Sequence, residues 1–199
     1  MAETLTSRLD AVNAMLGTIG DAPINSIETG SLPAEVQTAV NILHETSRKV
    51  QTRGWNFNSE SDFELSKNAN GNINLPGNTL KVDLTIEDWQ RNVVQRGLRL
   101  YDRQNHTYVF TSNVKVDLVM FLSWDELPES AREYIKIRAA RIFQARNFGS
   151  DTLNGFTEKD EFRALVDMEA ADAESEDATI FQNYDTASIL GIPTQRPRR

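Results

Sequence analysis

The chain has 199 residues, of which 39% are hydrophobic and 25% charged, with a formal net charge of −8. That is length enough for one domain or two small ones, in the proportions of an ordinary folded protein. It holds no cysteine, which excludes a disulfide framework, thiolate chemistry and a zinc–sulfur site.

Residues 4–19 are expected to form a first helix, because Leu5, Leu9, Val12, Leu16 and Ile19 recur at helical spacing. Thr6 or Ser7 is placed to cap it with a side-chain oxygen, and Gly20-Asp21-Ala22-Pro23 reads as a turn. A short connection over 24–32 leads into a long helix from Leu32 to about Gly54. Its stripe is Val36, Val40, Leu43, Ser47, Val50 and Gly54, widened by Ala39 and Ile42, so this helix reads as a spine with several neighbours. Pro33 suits its first turn and Gly54 its exit. Trp55 and Phe57 then alternate with Asn56 and Asn58, which predicts that the helix hands over directly to a strand.

Residues 55–124 carry strand patterns. Ile73 and Leu75 follow the Asn70-Gly71 turn, and Leu80, Val82, Leu84 and Ile86 follow Pro76-Gly77-Asn78, which predicts a hairpin over 72–86. Leu98 and Leu100, then Tyr108 and Phe110, follow further turn-rich stretches. The longest alternation runs from Val114 to Leu122. Lys115 and Asp117 on its second face give way to Val119 and Phe121, so this strand is expected to begin near solvent and end buried on both sides. Five to seven short strands suggest a small antiparallel sandwich or barrel.

Leu127-Pro128-Glu129 restarts helix, with Ala131, Tyr134, Ile135, Ala139, Ile142 and Phe143 on its apolar side. Thr157 to Asp160 resembles a capping box. It opens a last helix carrying Phe162, Leu165, Val166 and Ala173, which runs to about Asp177. The fold class expected is α+β. Residues 1–54 and 127–178 would form a four-helix bundle, and 55–126 a small antiparallel β module inserted between the second and third helices. Residues 179–199 would be an extended C-terminal arm. No apolar run approaches the roughly 18 residues of a membrane span, and the opening residues lack a signal-peptide pattern. No membrane role is expected.

Material for catalysis is thin. His44 and His106 are far apart in sequence, and no nucleotide-binding, hydrolase or metalloprotease motif occurs. His44 reads as a surface or helix–helix residue and His106 as an exposed strand tip. Glu60 with Asp62, and Asp125 with Glu126, are the carboxylate pairs that a glycan hydrolase could use, given a separation of about 5–9 Å across a sugar. The plainer reading is solvated turn residues. No catalytic residue, cofactor or metal ligand is assigned.

Charge is unevenly spread. Glu129–Arg146 holds five bases against two acids, and Glu158–Asp177 two bases against nine acids. Arg132, Lys136, Arg138, Arg141 and Arg146 have three possible partners. They could line a DNA passage, pair with the acidic helix of the same chain, or pair with that helix on an adjacent copy, including Asp167 and Asp172. Pairing is preferred, and between copies it would set register rather than stability, since exposed pairs contribute only ~0–1 kcal/mol each. The C-terminal stretch carries Ile180, Phe181, Tyr184, Ile189, Leu190 and Ile192. Disordered tails are poor in such residues. Either the segment folds back on its own domain, or it is an arm that docks on another subunit.

The chain resembles the tail tubular protein A family of T7-like short-tailed phages, the head-to-tail adaptors. The resemblance spans nearly the whole length. It is carried by Met15-Leu-Gly-Thr-Ile-Gly-Asp-Ala-Pro23, by Ser47-Arg-Lys-Val-Gln-Thr-Arg-Gly-Trp-Asn-Phe-Asn58, by Gly71-Asn-Ile-Asn-Leu-Pro76 and by Arg99-Leu-Tyr-Asp102. Leu127-Pro-Glu-Ser-Ala-Arg-Glu-Tyr-Ile135 and Ala139-Ala-Arg-Ile-Phe-Gln144 extend it. The resemblance implies a virion protein, assembled in the host cytoplasm, that forms a homo-oligomeric, dodecameric ring beneath the portal protein. The nozzle (tail tubular protein B) would attach below it and tail fibres near that junction, while double-stranded DNA passes through without sequence-specific contact. The arm residues Tyr184, Ile189, Leu190 and Ile192 would then reach the portal.

Overall fold

The computed structural model describes residues 5–28, 32–85, 91–148 and 157–182, with side chains to Asn147 in the third helix and to Ser175 in the fourth. Among the described residues it is an α+β fold with four α-helices, its strands lying between the second and third. Helix α1 spans Arg8–Gly17. Ser7 caps it, its Oγ accepting from the Asp10 amide at 3.1 Å while the Asp10 carboxylate accepts from the Ser7 amide at 2.9 Å. Leu5 therefore precedes the helix rather than joining its stripe, and is exposed.

Helix α2, Ala34–Gln51, begins just after Pro33. Its buried side runs through Val36, Ala39, Ile42, Leu43, Thr46, Ser47, Val50 and Gln51. Val40 is only half-buried, so the stripe is centred about a residue away from the expected line. Gly54 leaves the helix with φ +81, the left-handed region glycine accepts.

The expected direct passage into a strand does not occur. Residues Asn56–Asn58 form a single 3-10 turn, and strand β1 (Ser59–Leu65) follows it. The cause is Asn58, which is buried and not turned out to solvent. Its Oδ1 accepts from the Trp55 amide at 2.8 Å. Its Nδ2 donates to the carbonyls of Gln51 at 2.9 Å and Met120 at 2.7 Å. Gln51, wholly buried, completes the node: its Nε2 donates to Ser47 Oγ and the Leu122 carbonyl, and its Oε1 accepts from the Leu122 amide at 2.7 Å. Two buried amides thus have their hydrogen-bonding capacity met, as burial requires.

Strands β2 (Thr79–Leu84) and β5 (Val114–Met120) join β1 in an antiparallel sheet of order β1-β5-β2. Strands β3 (Val93–Arg96) and β4 (Arg99–Asp102) form a separate hairpin. The hairpin expected over 72–86 is absent. Ile73 bridges to Lys67, Asn74 bridges to Arg99, and β2 pairs with β5 instead. Central β5 buries Val114, Val116 and Leu118, while residues 119–122 are half-buried rather than enclosed on both sides. Strand β1 is an exposed edge, bent by a bulge at which Asp62 takes φ 54. Charge and a bulge are common ways to blunt such an edge. Gly71 has φ +77, and a methyl group there would lie 2.7 Å from Val109 Cγ1. Gly71→Ala is therefore expected to cost about 1–2 kcal/mol in urea unfolding.

Helix α3 (Glu129–Phe148) is the element that the other three helices share. Ala131, Tyr134, Ile135, Ile137, Ala139, Ala140 and Phe143 are buried around much of its circumference, and its alanines let neighbours approach closely. Helix α4 (Glu158–Gln182) packs on α3 and touches the 3-10 turn. It extends through residues 179–182, which were expected in the arm. Its inward residues are Ala164 and Met168, while Phe162 and Val166 point outward. One apolar cluster gathers the helices with Trp55 and Leu127, and a second gathers Leu65, Ile73, Leu75, Leu100, Phe110 and the inward face of β5.

Candidate functional site

The surfaces with most chemistry lie along α3 and α4. Thr157 and Asp160 form the expected capping box, the carboxylate accepting from the Thr157 amide at 2.8 Å. This sets the start of α4 beside α3. Glu161, mostly buried, accepts from Arg138 at 3.0 Å and from Arg141, which also reaches the exposed Glu158 at 3.2 Å. Arg138 further donates to the Tyr134 hydroxyl at 2.7 Å. Lys136 pairs with Glu133 on its own helix. Arg146 stands 3.7 Å from Glu45.

Arg132 is a different kind of residue. It is 4% exposed and meets no carboxylate among the described residues. Its guanidinium donates to the carbonyls of Leu127 at 2.9 Å, Thr6 at 3.0 Å and Asp125 at 2.8 Å. Trp124 Nε1 donates to the same Thr6 carbonyl at 2.9 Å, and the Thr6 amide donates to Glu129 at 2.9 Å. The N-terminal segment, the 3-10 turn at Trp124–Glu126 and the start of α3 are locked together by this fork of donors.

Asp172 accepts from the Asn56 amide at 2.9 Å, tying α4 to the junction. Asp167 is exposed, and lines a cleft of about 380 Å³ with Glu129, Glu133, Asp160 and Arg163. Within one chain the structure thus brings Arg138 and Arg141 to α4, but not Arg132, Lys136, Asp167 or Asp172 to one another. Tyr184, Ile189, Leu190 and Ile192 lie outside the described residues. Sequence reasoning did not single out Gln51 or Asn58. Their only signal was two amides flanking a tryptophan at a helix exit.

The carboxylates considered for hydrolysis sit apart in the fold. Glu60 and Asp62 are on β1 rather than in a loop, and the Asp62 amide donates to Asp117 at 3.1 Å. Asp125 and Glu126 are on the 3-10 turn. None of the four lines the cleft between α3 and α4. Hydrogen bonds from the Ser123 side chain and amide hold Glu126 below the usual carboxylate range, opposite to what a general acid requires. His44 is exposed, edge-on to Phe121 with centroids 5.5 Å apart, and His106 is exposed at a turn. Among the described residues no group of three acids or histidines could hold a metal ion, and no helix is long and apolar enough to cross a membrane.

Asp10 and Asp160 are likewise held below the usual range, by hydrogen bonds from the side chains and amides of Ser7 and Thr157. A depressed folded value means stability present above the unfolded pKa of about 4 and lost as pH falls through the folded value. Helix content followed by circular dichroism from pH 6 to 2 should therefore decline at the acid end. Thr157→Ala should partly flatten that decline, because the side-chain bond, the larger of the two that depress Asp160, is gone while the amide bond stays.

The chemistry of the described residues is lodged in helix faces and charged seams, and the comparisons with known proteins say what kind of chain this is: a structural component of a phage tail. It belongs to the tail tubular protein family, whose model matches residues 9–178. It is also similar to tail tubular protein A of Klebsiella phage KP34, 28% identical over 160 residues, covering 79% of this chain and 83% of that protein.

Proposed function

We propose that this chain is the head-to-tail adaptor of a short-tailed phage: a homo-oligomeric, dodecameric ring joining the portal protein to the tail nozzle. The ring provides a passage for double-stranded DNA and a seat for tail fibres. The observation that carries the reading is family membership over residues 9–178 in a chain whose longest helix turns Phe162 and Val166 to solvent. A lone domain has no use for such a stripe, whereas an assembling subunit has. Charge pairing between copies would fall on residues left over after Arg138 and Arg141 have engaged Glu161, and Asp167 is one. Acidic walls give DNA phosphates nothing to hold, so the strand slides. Residues 183–199, with Tyr184, Ile189, Leu190 and Ile192, are the proposed portal-docking arm.

Negative-stain microscopy of the protein mixed with its portal tests the reading, with closed rings on portal as the expected result. Deleting residues 185–199 should abolish attachment while leaving the circular dichroism of the bundle intact. Normal attachment of the truncated chain would refute the arm assignment.

A further inference from the structure

The β3–β4 hairpin is a basic island on an acidic chain. Its turn is Gly97-Leu98, with Gly97 at φ +62, and Leu98 at the tip is 47% exposed. Arg96 and Arg99 face each other across the last rung. Like charges directly opposed weaken a hairpin. Both are nevertheless held in place: the Arg96 guanidinium lies 3.6 Å from the Tyr101 ring centre and that of Arg99 4.6 Å from Tyr108. The two rings meet edge to face at 4.8 Å. Stacking fixes the guanidinium planes and leaves their N–H edges free. No carboxylate among the described residues pairs with either. The arrangement is a pre-set double anion receptor around an apolar tip.

Its complement is on α4. Phe162, Val166, Ala170 and Ala173 are all exposed and fall on one stripe. Glu158 and Glu169, on one flank, are engaged by Arg141 and Arg53. On the other flank Asp167 and Glu174 stand one heptad apart and exposed, with no cation paired to them among the described residues. Lys159 and Arg163 border only the start of the stripe. From Asp167 to Glu174 the helix carries acids and no base.

We propose that the hairpin of one copy seats on the outer stripe of α4 of the next. Leu98 lies on Val166 and Ala170, while Arg96 and Arg99 reach Asp167 and Glu174. This rests on the ring reading above and deepens it. Two unlike, complementary patches on one chain make a head-to-tail contact, which closes into a ring when the rotation fits. DNA is the weaker occupant, because phosphates have no use for Leu98.

The absence of native cysteine makes a direct test available. Leu98→Cys/Val166→Cys, oxidised under the conditions in which the wild type forms rings on portal, should give a ladder of covalent multimers on a non-reducing gel. Either single variant should stay monomeric. Arg96→Glu/Arg99→Glu should raise the protein concentration needed for ring formation at least tenfold with an unchanged circular dichroism spectrum. Adding Asp167→Arg/Glu174→Arg in the same chain should restore it. Rings at wild-type concentration with reversed arginines, or no ladder from rings that do form, would overturn the contact and leave the ring reading standing. Rings that form normally but fail to retain DNA would reassign the hairpin to nucleic acid. If the wild type forms no ring with its portal, the ring reading fails and the contact fails with it.

Discussion

Asn58→Asp is expected to destabilise the protein by about 4 kcal/mol at neutral pH, although it exchanges one NH2 for one oxygen. The Asn58 Nδ2 faces two carbonyls, those of Gln51 and Met120, at 2.9 and 2.7 Å in a buried site. An aspartate there loses both donations and sets a charged oxygen against two carbonyl oxygens. The Gln51 carbonyl keeps the Gly54 amide as a donor at 3.1 Å, so the cost falls mainly on the introduced charge, since an unpaired buried charge costs more than the about 1–3 kcal/mol of a lost neutral partner. The sign of the pH dependence follows. Burial and the facing carbonyls raise the introduced carboxyl's folded pKa above its unfolded value of about 4. The deficit is then full above the raised value and shrinks as pH falls toward the unfolded one. Urea unfolding at pH 7 and pH 5, followed by tryptophan fluorescence, checks both points. A loss under about 1 kcal/mol that ignores pH would show that the Asn58 amide is not the joint.

Arg132→Leu should cost about 3 kcal/mol. The substitution keeps an apolar stem but strands the buried carbonyl of Leu127 and removes the donor from the part-buried carbonyl of Asp125. The Thr6 carbonyl keeps Trp124 as a donor, so the N-terminal segment is weakened rather than released. Arg132→Lys should recover less than half the loss, since an ammonium cannot span three acceptors held in a planar fork. Thermal unfolding of the three proteins measures the order, and amide exchange at Thr6 should quicken in the leucine variant. Equal stability of lysine and arginine would mean that charge alone, and not the fork, holds this corner.

Element order was legible because it depends on local periodicity. The Ser7 and Thr157 caps and the apolar side of α3 follow from spacing alone. What failed depended on partners distant in sequence. The turn signals around Asn70-Gly71 and Pro76-Gly77 are genuine, but β2 finds a longer and more apolar partner in β5, so adjacency did not decide the pairing. On α4, Phe162, Leu165, Val166 and Ala173 carry the helical spacing, but the spacing alone does not say which side faces α3. The inward positions are Ala164 and Met168, four residues apart on the side that packs on α3. Arg132 was read as one of a set of surface cations, since nothing in its neighbours announces three convergent carbonyls. Asn58 looked like the polar half of a strand for the same reason, and Gln51 like one more polar residue of the helix.

The place where Asn58 meets both Gln51 and Met120 has an architectural corollary. The polypeptide leaves α2 for its strands and comes back from β5 at one point, where the two amides tie the departing and returning segments together. A short linker from Phe57 to Leu122 should close the helices without the strands, and a foreign cassette with neighbouring ends should fit the same opening.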